Sequence, residues 1–249
     1  MRYYFKFKIK MEKVMPIKEH KLKIIEIIDE ATEVKTFRLK LEDEIKFYAG
    51  QFFMVYMEDN PKLRRAYSIS SSPENKEFID ITVHLVGKFT NKLFECKIGD
   101  YLMFKGPYGK FYFTEDIKNN IIMIGGGCGT SSLMSIIRFC KDRNLPNKIK
   151  VICSFRSPDY IVYREEFEKW DKEDNKFDYV QTITRPKPEH NWNGLTERIN
   201  VDLLKKNIDD IENNIYYLCG PMEFVKNTIS MLEEIGAKKE QIKTDFWGS

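Results

Sequence analysis

The sequence predicts two domains in series, an antiparallel β-barrel followed by an α/β unit built on a parallel sheet. Three observations predict it. Between about His20 and Phe113 the apolar residues fall in short, often alternating runs; from about Asn119 short buried runs alternate with segments of helical period; and a glycine loop, Gly125 to Gly129, joins the first of those buried runs to the first helix. With 249 residues, 42% of them hydrophobic, the chain can bury two such cores.

The first half reads as six strands: KLKIIEII from Lys21, VKTFRLKL from Val34, QFFMVYM from Gln51, RAYSIS from Arg65, FIDITVHLV from Phe78 and YLMFKG from Tyr101. Turn residues bound them, among them Ala49-Gly50, Asn60-Pro61, Ser72-Pro73 and Gly106-Pro107, as a small barrel or sandwich requires. In the second half IIMI from Ile121 is a strand, and the segment from Ser131 to Arg143 spaces Leu133, Ile136, Ile137 and Cys140 as one face of a helix. Strand IKVICSF, helix YREEFEKW, strand FDYVQTI, helix VDLLKKN and strand IYYLCG follow. The last helix, from Pro221, turns Met222, Val225, Ile229 and Leu232 inward and is capped by Gly236. Alternation of this kind gives a parallel sheet covered on both faces. The boundary falls near residues 114–119.

Composition removes several function classes. The 41 Lys and Arg nearly cancel 38 Asp and Glu, so the net charge of +3 makes no bulk case for nucleic-acid binding. The five cysteines show no CxxC spacing and no short Cys/His cluster, so no metal site is signalled, and His20, His84 and His190 suggest no hydrolase triad. No stretch is long and apolar enough to span a bilayer, and residues 1–19 read as an N-terminal arm or an extra strand. A soluble, cytoplasmic protein with free thiols is expected.

Between a buried strand and a helix, glycines let the backbone approach a phosphate, and the helix's free N–H groups favour the anion. Gly126, Gly127, Cys128, Gly129 and Thr130 therefore form a candidate dinucleotide site, the other reading being a tight strand-to-helix turn. The next strand ends in Phe155-Arg156-Ser157 without a clear acidic partner for a ribose. Arg156, Thr184, Arg185 and Arg198 suit a 2′-phosphate, which tilts the nucleotide towards NADPH, with NADH the alternative.

The order of motifs resembles the ferredoxin-NADP reductase superfamily, from about residue 20 to Trp247. Arg65-Ala66-Tyr67-Ser68 resembles the family's flavin-facing Arg-x-Tyr-Ser/Thr stretch. The resemblance implies that Tyr67 lies against the isoalloxazine and ribityl region, Ser68 hydrogen-bonds near flavin N5, and Arg65 pairs with the diphosphate. Strict alternation would separate Ser68 from Arg65 and Tyr67, so the motif belongs at a strand edge or bend. HLVGKFTNKL resembles the second flavin segment, with Gly87, Lys88, Phe89 and Thr90 at the diphosphate and the N–H groups of Asn91 and Lys92 as further donors. Gly50-Gln51 and Gly106 to Phe111 resemble structural markers of the barrel. CGPM, Cys219-Gly220-Pro221-Met222, resembles the segment that brings a cysteine beside the nicotinamide, shaping the pocket without acting as a nucleophile. Near the C-terminus Asp245 fills the family's acidic position, and Phe246 or Trp247 could cover the flavin.

What the resemblance implies is an FAD-binding barrel over residues 20–115 and an NAD(P)-binding domain over 116–249. Ser68, Cys219 and Asp245 would form the hydride site of an NAD(P)H-dependent flavin oxidoreductase. Electrons would pass to a separate ferredoxin- or flavodoxin-like protein or to a small acceptor, from a monomer or small homo-oligomer. A free flavin reductase and an electron-transfer subunit of a larger redox complex, such as a hydrogenase, are the competing readings. FAD is favoured over FMN because two diphosphate-binding segments are expected. The chain departs from the family's glycine motif at Cys128, where many members have Thr, and at Ser132, where many have proline; serine can still cap the helix start.

Overall fold

The computed structural model describes residues 15–247, with the side chain of Trp247 outside the described residues. The expected arm is therefore described only from Met15 onward.

The first half forms a six-stranded antiparallel sheet of β1 (Lys18–Ala31), β2 (Val34–Lys40), β3 (Phe52–Tyr56), β4 (Arg65–Ser68), β5 (Phe78–His84) and β6 (Tyr101–Tyr108). Its order is β4-β3-β6-β1-β2-β5, and a bridge between Ile69 and Ile81 brings the two end strands together, so the sheet closes into a barrel. Strand β1 is longer than the sequence periodicity suggests because register shifts at Ile24/Glu26 and Asp29/Ala31 reset its phase. Those shifts reconcile the adjacent isoleucines: Ile24 is fully buried while Ile25 is exposed. Phe37, Leu39, Phe53, Ile69, Ile81 and Phe104 fill the interior, and α1 (Lys88–Glu95) adds Phe89 and Leu93 to the same core.

The second half is a five-stranded parallel sheet, order β11-β10-β7-β8-β9, formed by β7 (Asn120–Gly126), β8 (Ile149–Phe155), β9 (Phe177–Ile183), β10 (Asn214–Pro221) and β11 (Ile242–Trp247). Alternating strand residues serve two cores. Met123, Val151 and Tyr217 pack with α2 (Thr130–Asp142) and α3 (Arg164–Glu173) on one face. Ile124, Ile152, Tyr216 and Leu218 pack with α4 (Val201–Asn207) and α5 (Met222–Glu234) on the other. Helix α5 buries Val225, Thr228 and Leu232, while Ile229 is partly buried. It ends on Gly236 at φ +106°, with Gly236 N–H donating to the Glu233 carbonyl at 3.1 Å and Ala237 N–H to that of Leu232 at 2.9 Å. A side chain is strained at that φ, so glycine there stops the helix. The strand β11 has no sequence signature, since KTDF lacks apolar alternation, and it forms by pairing with β10.

Helix α2 is the wall between the halves. The sequence predicts one apolar face, yet every residue from Thr130 to Ile137 is buried, because the serine-bearing face meets the barrel. Ser135 Oγ donates to the Ser71 carbonyl at 2.8 Å, and Arg138 Nη1 donates to that of Ser70 at 2.9 Å. Arg138 also forks onto Glu166 through Nε at 3.1 Å and Nη2 at 2.7 Å. Burial raises the carboxyl of Asp80, whereas Arg38, which binds both its oxygens at 3.0 and 3.1 Å, and Arg138 pull it down. Tyr163, held at φ +56°, donates its buried hydroxyl to Thr82 of the barrel.

Candidate active site

Parallel strands present their carboxyl ends along one edge, and here that edge faces the closing seam of the barrel. A cavity of about 940 Å³ lies between them. The ends of β7, β8, β9, β10 and β11 supply Gly126, Arg156, Arg185, Pro221 and Asp245 to its walls, and the barrel supplies Arg65, Ala66, Tyr67 and Ser68.

On the barrel side the motif occupies β4, an end strand paired in register with β3, and both Tyr67 and Ser68 line the cavity. The Tyr67 ring packs on Phe89 with centroids 5.9 Å apart, and burial pushes its phenol far above the usual range. Arg65 is exposed; its hydrogen bond among the described residues is from Nη1 to the Arg64 carbonyl at 2.8 Å, leaving guanidinium donors for an anion. Beside them His84 Nε2 is buried without a hydrogen-bond partner, with Glu33 Oε2 3.7 Å away.

The glycines of the opposite wall divide by role. A Cβ on Gly125 would meet Thr130 Oγ1 at 2.8 Å and Cys153 Sγ at 3.1 Å. A Cβ on Gly126 or Gly220 would meet the ring of Phe224, at 2.9 and 2.6 Å respectively. Those three glycines are required by packing inside the protein. Gly127, at φ +56° with nothing within 4 Å of its Cβ position, is the one whose backbone opens outward. Cys128, Arg156, Thr184, Arg185 and Arg198 also line the cavity, with the Arg156 guanidinium 5.5 Å from the Tyr160 ring centroid.

Where the halves meet, four groups converge. Ser132 Oγ lies 2.9 Å from Ser68 Oγ and 3.5 Å from Asp245 Oδ2, and the Cys219 thiol reaches the same Asp245 oxygen at 3.9 Å. Burial raises the Asp245 carboxyl above its ordinary value, opposed by hydrogen bonds from Ser132, the Phe246 N–H, Cys219 and Ser68. Burial, then the neighbouring carboxylate, pushes the Cys219 thiol well up. It stays protonated and acts as a donor and a wall rather than as a nucleophile.

Other expected site residues are placed less directly. Gly129, Thr130, Cys219 and Gly220 are buried behind the cavity surface, and Met222 opens α5 half-buried. Gly87, Lys88, Phe89 and Thr90 start α1 outside the cavity walls, next to Val86, which is part of them. The Thr90 hydroxyl accepts from the N–H groups of Val86 and Gly87 and donates to the Gly87 carbonyl, each at 2.9 Å, so its bonding capacity is spent on that turn. The side chain of Trp247 lies outside the described residues, while Phe246 lines the cavity and is half exposed. Sequence reasoning did not assign Ser132, His84, Glu33 or Phe224 to the site. Only the departure from proline at Ser132 carried a signal.

Residues 21–113 match the family model of the oxidoreductase FAD-binding domain, and residues 123–229 match that of the oxidoreductase NAD-binding domain. The chain belongs to the ferredoxin-NADP reductase superfamily. It is 31% identical over 199 residues to the F component of the Na(+)-translocating NADH-quinone reductase from Marinomonas sp., covering 74% of this chain and 48% of the relative. It is 30% identical over 232 residues to the phenol hydroxylase P5 protein of Acinetobacter pittii, covering 92% of this chain and 65% of that one. The chain thus spans about half to two thirds of these relatives' lengths. Among solved structures, a ferredoxin reductase in carbazole 1,9a-dioxygenase superposes with a TM-score of 0.83 at 25% identity, over 94% of this chain and 70% of that one.

Its two domains are those of oxidoreductases that bind FAD and a nicotinamide dinucleotide. The cavity fits them: an apolar ring face at Tyr67, free guanidinium donors at Arg65 and an outward-facing glycine backbone at Gly127. Among the described residues no helix is long and apolar enough to cross a membrane.

Proposed function

We propose that this protein takes hydride from NADPH, or from NADH in its place, and delivers electrons to a separate redox protein of the ferredoxin or flavodoxin kind. The observation that supports this reading is the convergence of Ser68 from the barrel with Ser132, Cys219 and Asp245 from the second half at one cavity. FAD, when bound, supplies the hydride-accepting centre and the means of releasing electrons singly. The chain supplies placement. Tyr67 provides a flat face, Arg65 a counter-ion for a diphosphate, and Ser68 a hydroxyl at the reacting end. Residues 20–115 serve the flavin, and residues 116–249 serve the nucleotide. Arg156, Arg185 and Arg198 in the cavity wall favour a 2′-phosphate and hence NADPH. Cytoplasmic placement accords with the five free cysteines.

A second reading is an electron-transfer component of a larger assembly. It draws support from relatives whose names are those of a reductase component and a hydroxylase component. The deciding experiment is an anaerobic visible spectrum of the purified protein while NADPH and then NADH are added. Flavin absorbance that survives gel filtration and bleaches with nucleotide supports the reductase. Flavin lost on the column identifies a free flavin reductase, and retained flavin that neither nucleotide bleaches favours the assembly component.

A further inference from the structure

Ser132 stands on the first turn of α2, 4% exposed, in the wall shared by both halves of the site. Its hydroxyl joins the barrel to β11, with Ser68 Oγ at 2.9 Å and Asp245 Oδ2 at 3.5 Å. A serine hydroxyl carries one proton and two lone pairs, so it can donate to one of these neighbours at a time while accepting from the other. Two arrangements follow. With Asp245 ionised, the carboxylate can only accept, so the Ser132 proton turns from Ser68 to Asp245, and Ser68 rotates to donate to Ser132 with its lone pairs facing the cavity. With Asp245 protonated, the acid can donate to Ser132, Ser132 donates to Ser68, and the Ser68 proton is free to point into the cavity.

We propose that Ser132 is a positioning residue, a hydroxyl bridge through which the carboxyl of Asp245 sets whether Ser68 presents a proton or a lone pair to the reacting molecule. This rests on the reductase reading above. The Asp245 carboxyl accepts from Ser132 at 3.5 Å and from Cys219 at 3.9 Å, and hydrogen bonds from Ser132 and Ser68 both hold it down. Few other groups compete for control of Asp245. From β10 comes the Cys219 thiol, and from its own strand the Phe246 N–H. Lys110 and Lys243 share with Asp245 the walls of a smaller cavity of about 360 Å³. Helix α5, packed on the same strand, holds Glu223 and Lys226 at exposed positions. Removing the Ser132 oxygen therefore breaks the bridge without removing either end.

The test uses the flavin-loaded protein with Ser132→Ala and Ser132→Thr, each checked for flavin content and thermal midpoint. The infrared carbonyl band of protonated Asp245, identified by its loss in Asp245→Asn, is titrated, and the pH profile of bleaching by NADPH is recorded. In Ser132→Ala the band should titrate at higher pH than in the unsubstituted protein, because a hydrogen bond to the ionised form is gone. Bleaching should slow on the order of tenfold, with its pH profile moving alongside the infrared midpoint. Ser132→Thr, which keeps the hydroxyl, should restore both. An unchanged infrared midpoint with an unchanged pH profile in Ser132→Ala overturns the bridge. If the unsubstituted protein is not bleached at all, the reductase reading fails, and the infrared titration still decides whether Ser132 controls Asp245.

Discussion

The two walls of the cavity are built on opposite principles. On the barrel wall the chemistry is in side chains: Arg65, Tyr67 and Ser68 stand on an end strand, and all three line the cavity. At the glycine turn of the opposite wall it is in backbone, and most of the glycines serve internal packing. Gly126 and Gly220 sit under one aromatic ring, Phe224, which enters from the start of α5. A glycine motif therefore reports two needs at once, close approach by a ligand and close approach by a neighbour. In this chain the second accounts for three of the glycines, while Gly127 stands at positive φ with open space beside it.

The sharpest way to break this comparison is at Arg65. If the barrel wall works through side chains, Arg65→Ala should weaken flavin retention on the order of a hundredfold, from loss of a charge-assisted contact, with the thermal midpoint of the flavin-free protein unmoved. Ultrafiltration with flavin fluorescence in the filtrate measures it. Equal retention would remove Arg65 from the site.

The packing role of the opposite glycines predicts a stability effect that needs no ligand. Gly220→Ala should cost about 1–3 kcal/mol by overpacking against Phe224, and most of that cost should vanish in a Phe224→Ala background. A urea-denaturation double-mutant cycle reads the coupling. Additive losses would show that the ring does not set the requirement for glycine.

Asp245 joins the two walls, and its titration has a definite sign. Burial holds its folded-state pKa above the unfolded value, so the folded protein keeps a proton that the unfolded chain has released. In the window between those two values stability falls as pH rises. Asp245→Asn should remove that fall and stabilise the protein above the window, while slowing bleaching on the order of tenfold. Denaturation midpoints across pH, compared with the unsubstituted protein, check the first part.

The smallest expected effect is at the nucleotide's far end. Arg185→Ala should reduce the preference for NADPH over NADH several-fold, with kcat/KM for NADH little changed. Equal losses with both donors would mean that Arg185 reads something other than a 2′-phosphate.

Much of the architecture is legible in the sequence because its signals are local. The runs VDLLKKN and FDYVQTI coincide with α4 and β9, where helical spacing and strand alternation are decided by neighbours in sequence. The RAYS motif is legible as chemistry because its four residues combine a cation, a ring and a hydroxyl. Strand β11 is not legible: it owes its conformation to pairing with β10, and KTDF has no period of its own. The serines of α2 lie outside its apolar spacing, and nothing near them in sequence announces the barrel that buries them.

By itself, then, the sequence determined the two periodicities, the turn that opens α2 and the residues able to meet a flavin and a dinucleotide. Tertiary structure alone decided that α2 is a wall with two buried faces, that Phe224 claims the space above Gly126 and Gly220, and that Ser132 lies between Ser68 and Asp245. The physical reason is range. Propensity and periodicity act within a turn or a strand, whereas Ser68, Ser132 and Asp245 are joined only because two separately closed cores pack edge to seam.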